Sequence, residues 1–167
     1  LSFLERTRKT FLNQIAIEYK EYKISYKQAG QRCDALANLL KNKKFNSGST
    51  IDDMLPTLPV KWECPFGIPL AIGVLNAINT RLDSNTVQFI LEHGEAKLFI
   101  YDSEYGPIVE QALEKIDNPP TLIEFVDEVA GNKRSKFANK VNCLDYESEI
   151  KKFIGTQFEH ILPNDEW

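Results

Sequence analysis

The sequence predicts an α/β fold, a parallel sheet with crossover helices behind a short β-hairpin. Three observations carry that expectation. Short apolar segments, TIDDML, GVLNAIN, KLFIYD and TLIEFV, recur from Thr50 onward. Stretches with amphipathic spacing separate them, which is the order expected of strands joined by crossover helices. Earlier in the chain, two short β-prone runs flank Lys20-Glu21 and read as a hairpin.

The elements follow in order. Ile15 to Tyr19 and Tyr22 to Ile24 are the two hairpin strands. Ser25 and Gln28 stand at capping-box spacing, and Ala29, Cys33, Leu36, Ala37 and Leu40 then recur on one helical face, so a helix is expected over about 26–42. After GVLNAIN, Asp83 or Ser84 caps a helix whose Val87, Ile90 and Leu91 face inward, with Gly94 ending it in a left-handed turn. Residues 104–117 repeat the scheme through Ile108, Leu113 and Ile116 until Pro119-Pro120 stop it. Residues 127–143 lack periodicity and read as a solvated loop, so Lys133, Arg134 and Lys136 are expected on an exposed surface rather than at a phosphate. Tyr146 to Gly155 is a last short helix, and Phe158 to Trp167 an extended tail.

At 167 residues the chain is long enough for one globular core. A formal net charge of −4 gives no pull toward nucleic acid or an anionic bilayer, so neither is an expected partner. The apolar runs are broken by proline, glycine or charge well before a membrane-spanning length. Three widely spaced cysteines, Cys33, Cys64 and Cys143, form neither a disulfide framework nor zinc-ligand spacing, and a reducing cytoplasm fits them. Leu1 in place of methionine suggests a trimmed or internal piece.

GVLNAIN reads as an inner strand of the parallel sheet and ends in Asn79-Thr80-Arg81. In an open parallel sheet ligands gather at the carboxyl ends of strands, so Arg81 stands where a planar guanidinium and a nearby helix N-terminus could meet a phosphate. Its alternative is a structural one, pairing with a surface carboxylate or tying down the loop.

FGIPLAIGVLNAINTRLDSNTVQFILEHGEAKLFIYDSE, residues 66–104, closely resembles the amino-terminal part of AMP-forming acyl-CoA ligases, the fatty-acyl and aryl-CoA branch of the adenylate-forming superfamily. LSFLERTRKTF is similar to the opening helix of those enzymes, AIEYKEYKISYKQAG to their hairpin and first long helix, and MLPTLP to their Met-Leu-Pro-Asn-x-Pro strand end. LDYE and PNDEW resemble the approach to their nucleotide site. The resemblance implies that residues 1–167 are the amino-terminal portion of an AMP-binding domain. It also implies a parent enzyme that activates a fatty or aromatic carboxylic acid with ATP and Mg2+ and passes it to CoA. By the same resemblance Arg81 is a contact to the CoA nucleotide.

The phosphate loop, the ribose-binding aspartate and the carboxy-terminal domain of such ligases have no counterpart here. No Gly-x-x-x-x-Gly-Lys and no Ser/Thr/Gly cluster occurs, so no catalytic residue and no metal ligand is assigned. The fragment is expected to be inactive alone and to hold no bound cofactor. The rival reading is a free-standing α/β interaction or CoA-binding module without catalysis. Oligomeric state is open, a homodimer included.

Two features depart from the family pattern. Asp52-Asp53 stands where apolar residues are expected inside a buried strand, and an exposed edge, or a strand that starts later, is the expectation. Pro65, with Gly67 and Pro69 close by, should break or displace the helix that follows Pro59. His93 and His160 read as surface or helix-end residues. Cys33, Phe89, Phe99 and Phe125 are expected in the core.

Overall fold

The computed structural model describes residues 2–45 and 47–159. Helix α1 (Ser2–Thr10) leads into the antiparallel hairpin β1 (Ile15–Tyr19) and β2 (Tyr22–Ser25), in register at Ile17↔Ile24 and Tyr19↔Tyr22. Helix α2 (Tyr26–Asn42) opens with the predicted capping box. Ser25 Oγ accepts from the Gln28 N–H, and the Gln28 side chain accepts in return from the Ser25 N–H at 2.9 Å. Its predicted face is the buried one, with Cys33, Leu36 and Ala37 fully enclosed.

Five parallel strands follow: β3 (Thr50–Met54), β4 (Val74–Ala77), β5 (Leu98–Asp102), β6 (Thr121–Phe125) and β7 (Cys143–Asp145), in the spatial order β4-β3-β5-β6-β7. Helices α3 (Pro59–Leu70), α4 (Ser84–His93) and α5 (Gly106–Leu113) make the crossovers, and α6 (Tyr146–Lys151) closes the series. Because strand side chains alternate, the sheet has two apolar faces. Ile51, Leu98, Ile100 and Ile123 pack against α2, α3 and α6. Met54, Phe99, Tyr101 and Leu122 pack against α4 and α5.

Several expectations are corrected. GVLNAIN does not form an inner strand: β4 is the outermost of the five among the described residues, and Val74 is half exposed. Asp52 and Asp53 lie not at an edge but wholly buried on internal β3. A buried carboxylate needs partners, and each has one: Asp52 accepts from Asn76 Nδ2 at 2.6 Å on one face, and Asp53 pairs with Lys61 on the other.

Helix α3 is continuous through Pro65, although a proline there removes one backbone bond. Tertiary packing on α2 offsets the loss. Gly67 lets the two helices approach so closely that a Cβ there would stand 2.8 Å from Leu36 Cδ2.

Gly94 is not left-handed (φ −78°); the following Glu95 takes the positive φ of 48°. Gly94 is instead a point of close approach, where a Cβ would meet the Ile90 carbonyl oxygen at 3.0 Å.

Phe89 is 63% exposed and stacks on His93, whereas Phe99 is fully buried and Phe125 packs edge-on against Tyr146. The expected loop over 127–143 contains a short 3-10 turn, Glu128–Ala130, and its last residue begins β7, a strand of three residues too short to show a period. The 104–117 helix is shorter than expected, since a 3-10 turn over Ser103–Tyr105 precedes α5. His160 and the tail from 160 lie outside the described residues.

Candidate functional site

The strand order places β3 between β4 and β5, with successive crossovers running in opposite directions from it. Such an order leaves a crevice at the carboxyl ends of the two strands that flank the switch point, here β3 and β5. A cavity of about 500 Å³ lies there, walled by Pro56 and Thr57 after β3, Asp102 at the end of β5 with Ser103 beyond it, and Asp127 after β6. Tyr19 of the hairpin closes one side, and Lys133 reaches the wall from the segment after β6.

Local geometry fixes these side chains. Asp102 is the N-cap of the turn after β5, accepting from the Glu104 N–H at 2.8 Å, and burial pushes its carboxyl above the usual range. Asp127 accepts from the Ala130 N–H at 3.1 Å with one oxygen and from the Tyr19 hydroxyl at 2.6 Å with the other. That hydrogen bond, which stabilises the neutral phenol beside a carboxylate, drives Tyr19 up to about 12. Asp102, Glu104 and Asp127 face a single lysine among the lining residues, so the rim is acidic. It offers hydrogen-bond acceptors and a shaped wall, without a nucleophile paired to a base.

Arg81 lies one strand away, in the exposed turn beyond β4, and its own N–H donates to Asn79 Oδ1 at 3.0 Å. Its guanidinium makes no ion pair among the described residues. The start of α4 is already occupied. Asp83 accepts from the Asn85 and Thr86 N–H groups at 3.0 and 3.2 Å and from the Thr86 hydroxyl at 2.8 Å, bonds that hold its carboxyl below the usual range. A phosphate arriving here would meet the guanidinium and not the helix amides, because the capping carboxylate stands in their way. Of the cationic cluster, Lys133 reaches the crevice and Arg134 donates to the Cys143 carbonyl, while Lys136 is exposed.

Residue patterns did not single out a buried network behind the sheet. Glu63, fully enclosed, accepts from Arg32 Nε at 2.5 Å and from the Tyr146 hydroxyl at 2.7 Å, and Arg32 continues to Glu147. Burial raises the Glu63 carboxyl, with Arg32 and Tyr146 opposing the shift. Its signal was the LDYE stretch, which contains both Tyr146 and Glu147, but nothing local links them to residues 83 positions away. Burial also pushes the Cys33 and Cys64 thiols up, which leaves them unreactive. No cluster of His, Cys, Asp and Glu suited to a metal ion occurs among the described residues, and no helix among them is long and apolar enough to cross a membrane.

Known proteins share this arrangement. The trans-cinnamate:CoA ligase, peroxisomal, of Petunia hybrida is 37% identical, covering 100% of this chain and 31% of that protein. The acetate–CoA ligase CCL3 of Humulus lupulus is 29% identical, over 100% and 30% of the two chains. The chain therefore spans about three tenths of these relatives' length. Among solved structures, a benzoate CoA ligase from Burkholderia xenovorans superposes with a TM-score of 0.78 at 17% identity, covering 98% of this chain and 30% of that one. An anthranilate CoA ligase in complex with anthranoyl-AMP gives 0.78 at 18% identity over 94% and 28%. These likenesses show the fold. The family model for the AMP-binding enzyme matches residues 4–154, and the chain belongs to that family.

Proposed function

We propose that the chain is the amino-terminal part of an AMP-forming acid–CoA ligase, which activates a fatty or aromatic carboxylic acid with ATP and Mg2+ and transfers the acyl group to CoA. The observation that carries this reading is the family match over residues 4–154, together with relatives named as CoA ligases for acetate and trans-cinnamate. In this reading residues 1–167 supply the first sheet of the AMP-binding domain. The groups that hold the phosphates and neutralise the transferring charge belong to other parts of the protein. The chain alone binds no ATP, Mg2+ or CoA productively and does not turn over.

Arg81 is the proposed contact to the CoA nucleotide. It is exposed, carries a planar guanidinium without an ion-pair partner among the described residues, and stands at the carboxyl end of a parallel strand. The cytoplasm is the proposed compartment on the strength of three free buried thiols, and the peroxisome, which stands in the names of four relatives, is its rival. Imaging the tagged whole protein separates the two.

Two assays test the function. Hydroxamate trapping with a carboxylic acid, ATP and Mg2+ should give product with the whole protein and only background with residues 1–167; turnover by the isolated chain refutes its inactivity. In the whole enzyme, Arg81→Ala should raise KM for CoA about tenfold or more with adenylation intact, the loss of one charged hydrogen-bonding contact. An unchanged KM removes the assignment.

A further inference from the structure

Strand β4 is short, outermost among the described strands, and hydrogen-bonded to β3 alone. Across that pair Asp52 stands level with Asn76, and the Asn76 amide donates to Asp52 Oδ1 at 2.6 Å. The carboxyl group is entirely enclosed, and its other oxygen has no hydrogen-bond partner among the described residues. Such a group is far better tolerated neutral than charged.

No cation faces it. Lys61 pairs with Asp53, whose side chain points to the opposite face. On β5 the residue level with Asp52 is Phe99, and α4 presents Val87 and Leu91 to that core. The ionisable groups of α4, Glu92 and His93, are exposed, Glu92 bonded to Gln88 and His93 stacked on Phe89. In the turn before β5, Glu95 and Lys97 pair with each other in solvent. Asp53 contributes like-charge repulsion from the same strand. A Cβ on Gly94, the C-cap of α4, would stand 3.9 Å from Asn76 Nδ2, an ordinary contact distance, so the end of α4 lies beside the pair.

We propose that Asp52 is a proton-operated fastener of the outer strand: neutral, it holds β4 and the Asn79–Arg81 turn against β3, and ionised, it loosens them. The fastener works in the same way whatever Arg81 binds. Burial is the main force on this carboxyl and drives it up to about 6, with the Asn76 hydrogen bond acting against the shift. A folded-state value raised above the ordinary 3.8 means that the stabilisation is complete below that ordinary value and is lost as pH rises through about 6.

The test is hydrogen exchange of peptides spanning 74–82 and 98–102 in the whole protein, corrected for intrinsic rates, between pH 4 and pH 7. Protection of 74–82 should fall roughly 50-fold over that range, as linkage for a shift from 3.8 to about 6 requires. Protection of 98–102 on β5 should change little. Asp52→Asn keeps the acceptor for Asn76 and should flatten the profile. Asn76→Ala removes the donor and should move the loosening window to higher pH, which keeps the test open if the first variant folds poorly. A flat profile in the unaltered protein, or a parallel fall in both peptides, overturns the proposal.

Discussion

The two faces of the sheet bury their carboxylates in different company. Under α2, α3 and α6, Glu63 is bonded by the Arg32 guanidinium and the Tyr146 hydroxyl, and Asp53 by Lys61. Under α4, α5 and the segment after β6, the hydrogen-bond partner among the described residues is the Asn76 amide for Asp52 and the Ser135 N–H for Glu124, the latter at 3.2 and 3.3 Å from its two oxygens. A buried pair of opposite charges is costly to break because the surviving charge is stranded, whereas Asp52, held by a neutral amide and raised by burial, can take up a proton. On the proposal for Asp52, the first face is the rigid frame and the second the yielding one. Arg81, on the turn beyond β4, rides on the yielding side.

The largest expected effect comes from breaking the frame. Arg32→Ala strands Glu63 without its cation and should destabilise the whole protein by about 3–5 kcal/mol, measured by urea denaturation. Replacing both partners sharpens the point: Arg32→Met with Glu63→Leu should recover most of that loss, because no orphaned charge remains. Tyr146→Phe keeps the ring and removes one hydrogen bond to a buried carboxylate, with an expected loss of about 1.5–3 kcal/mol in the same assay. Tyr19→Phe acts at the half-buried crevice wall, where Asp127 keeps its Ala130 partner. Its expected cost is about 1 kcal/mol, with faster exchange confined to hairpin 15–25 and the turn at 127–131. If Tyr19→Phe proved as damaging as Arg32→Ala, the ranking of frame over rim would fail.

Local chemistry makes some elements legible from the residues alone. Ser25 and Gln28 three residues apart define a capping box by contacts within one turn, and the start of α2 stands where that spacing puts it. Asp83 caps α4 for the same reason. The four apolar runs each contain a strand, since alternation with helical spacing is written along the chain.

Other features are illegible because their causes lie elsewhere in the chain. Asp52 and Asp53 look incompatible with a buried strand until Asn76 and Lys61 arrive from β4 and α3. Phe89 looks like a core residue by type, but its side of α4 faces away from the sheet. Pro65 looks like a break, and the contact of Gly67 with Leu36 shows why the helix continues. The crevice itself joins residues from four separate segments, of which the residue pattern marks only the ends of strands.

By itself, the sequence determined the α/β class, the caps of α2 and α4, and the motifs of residues 66–104 that point to the AMP-binding family, because each depends on residues within a few turns of one another. Only the tertiary structure decided that β4 lies outermost among the described strands, that two adjacent aspartates are buried on opposite faces, and that Tyr19 meets Asp127 across 108 positions. Those outcomes depend on burial and on partners brought together by the crossovers, and a chain read one window at a time carries neither.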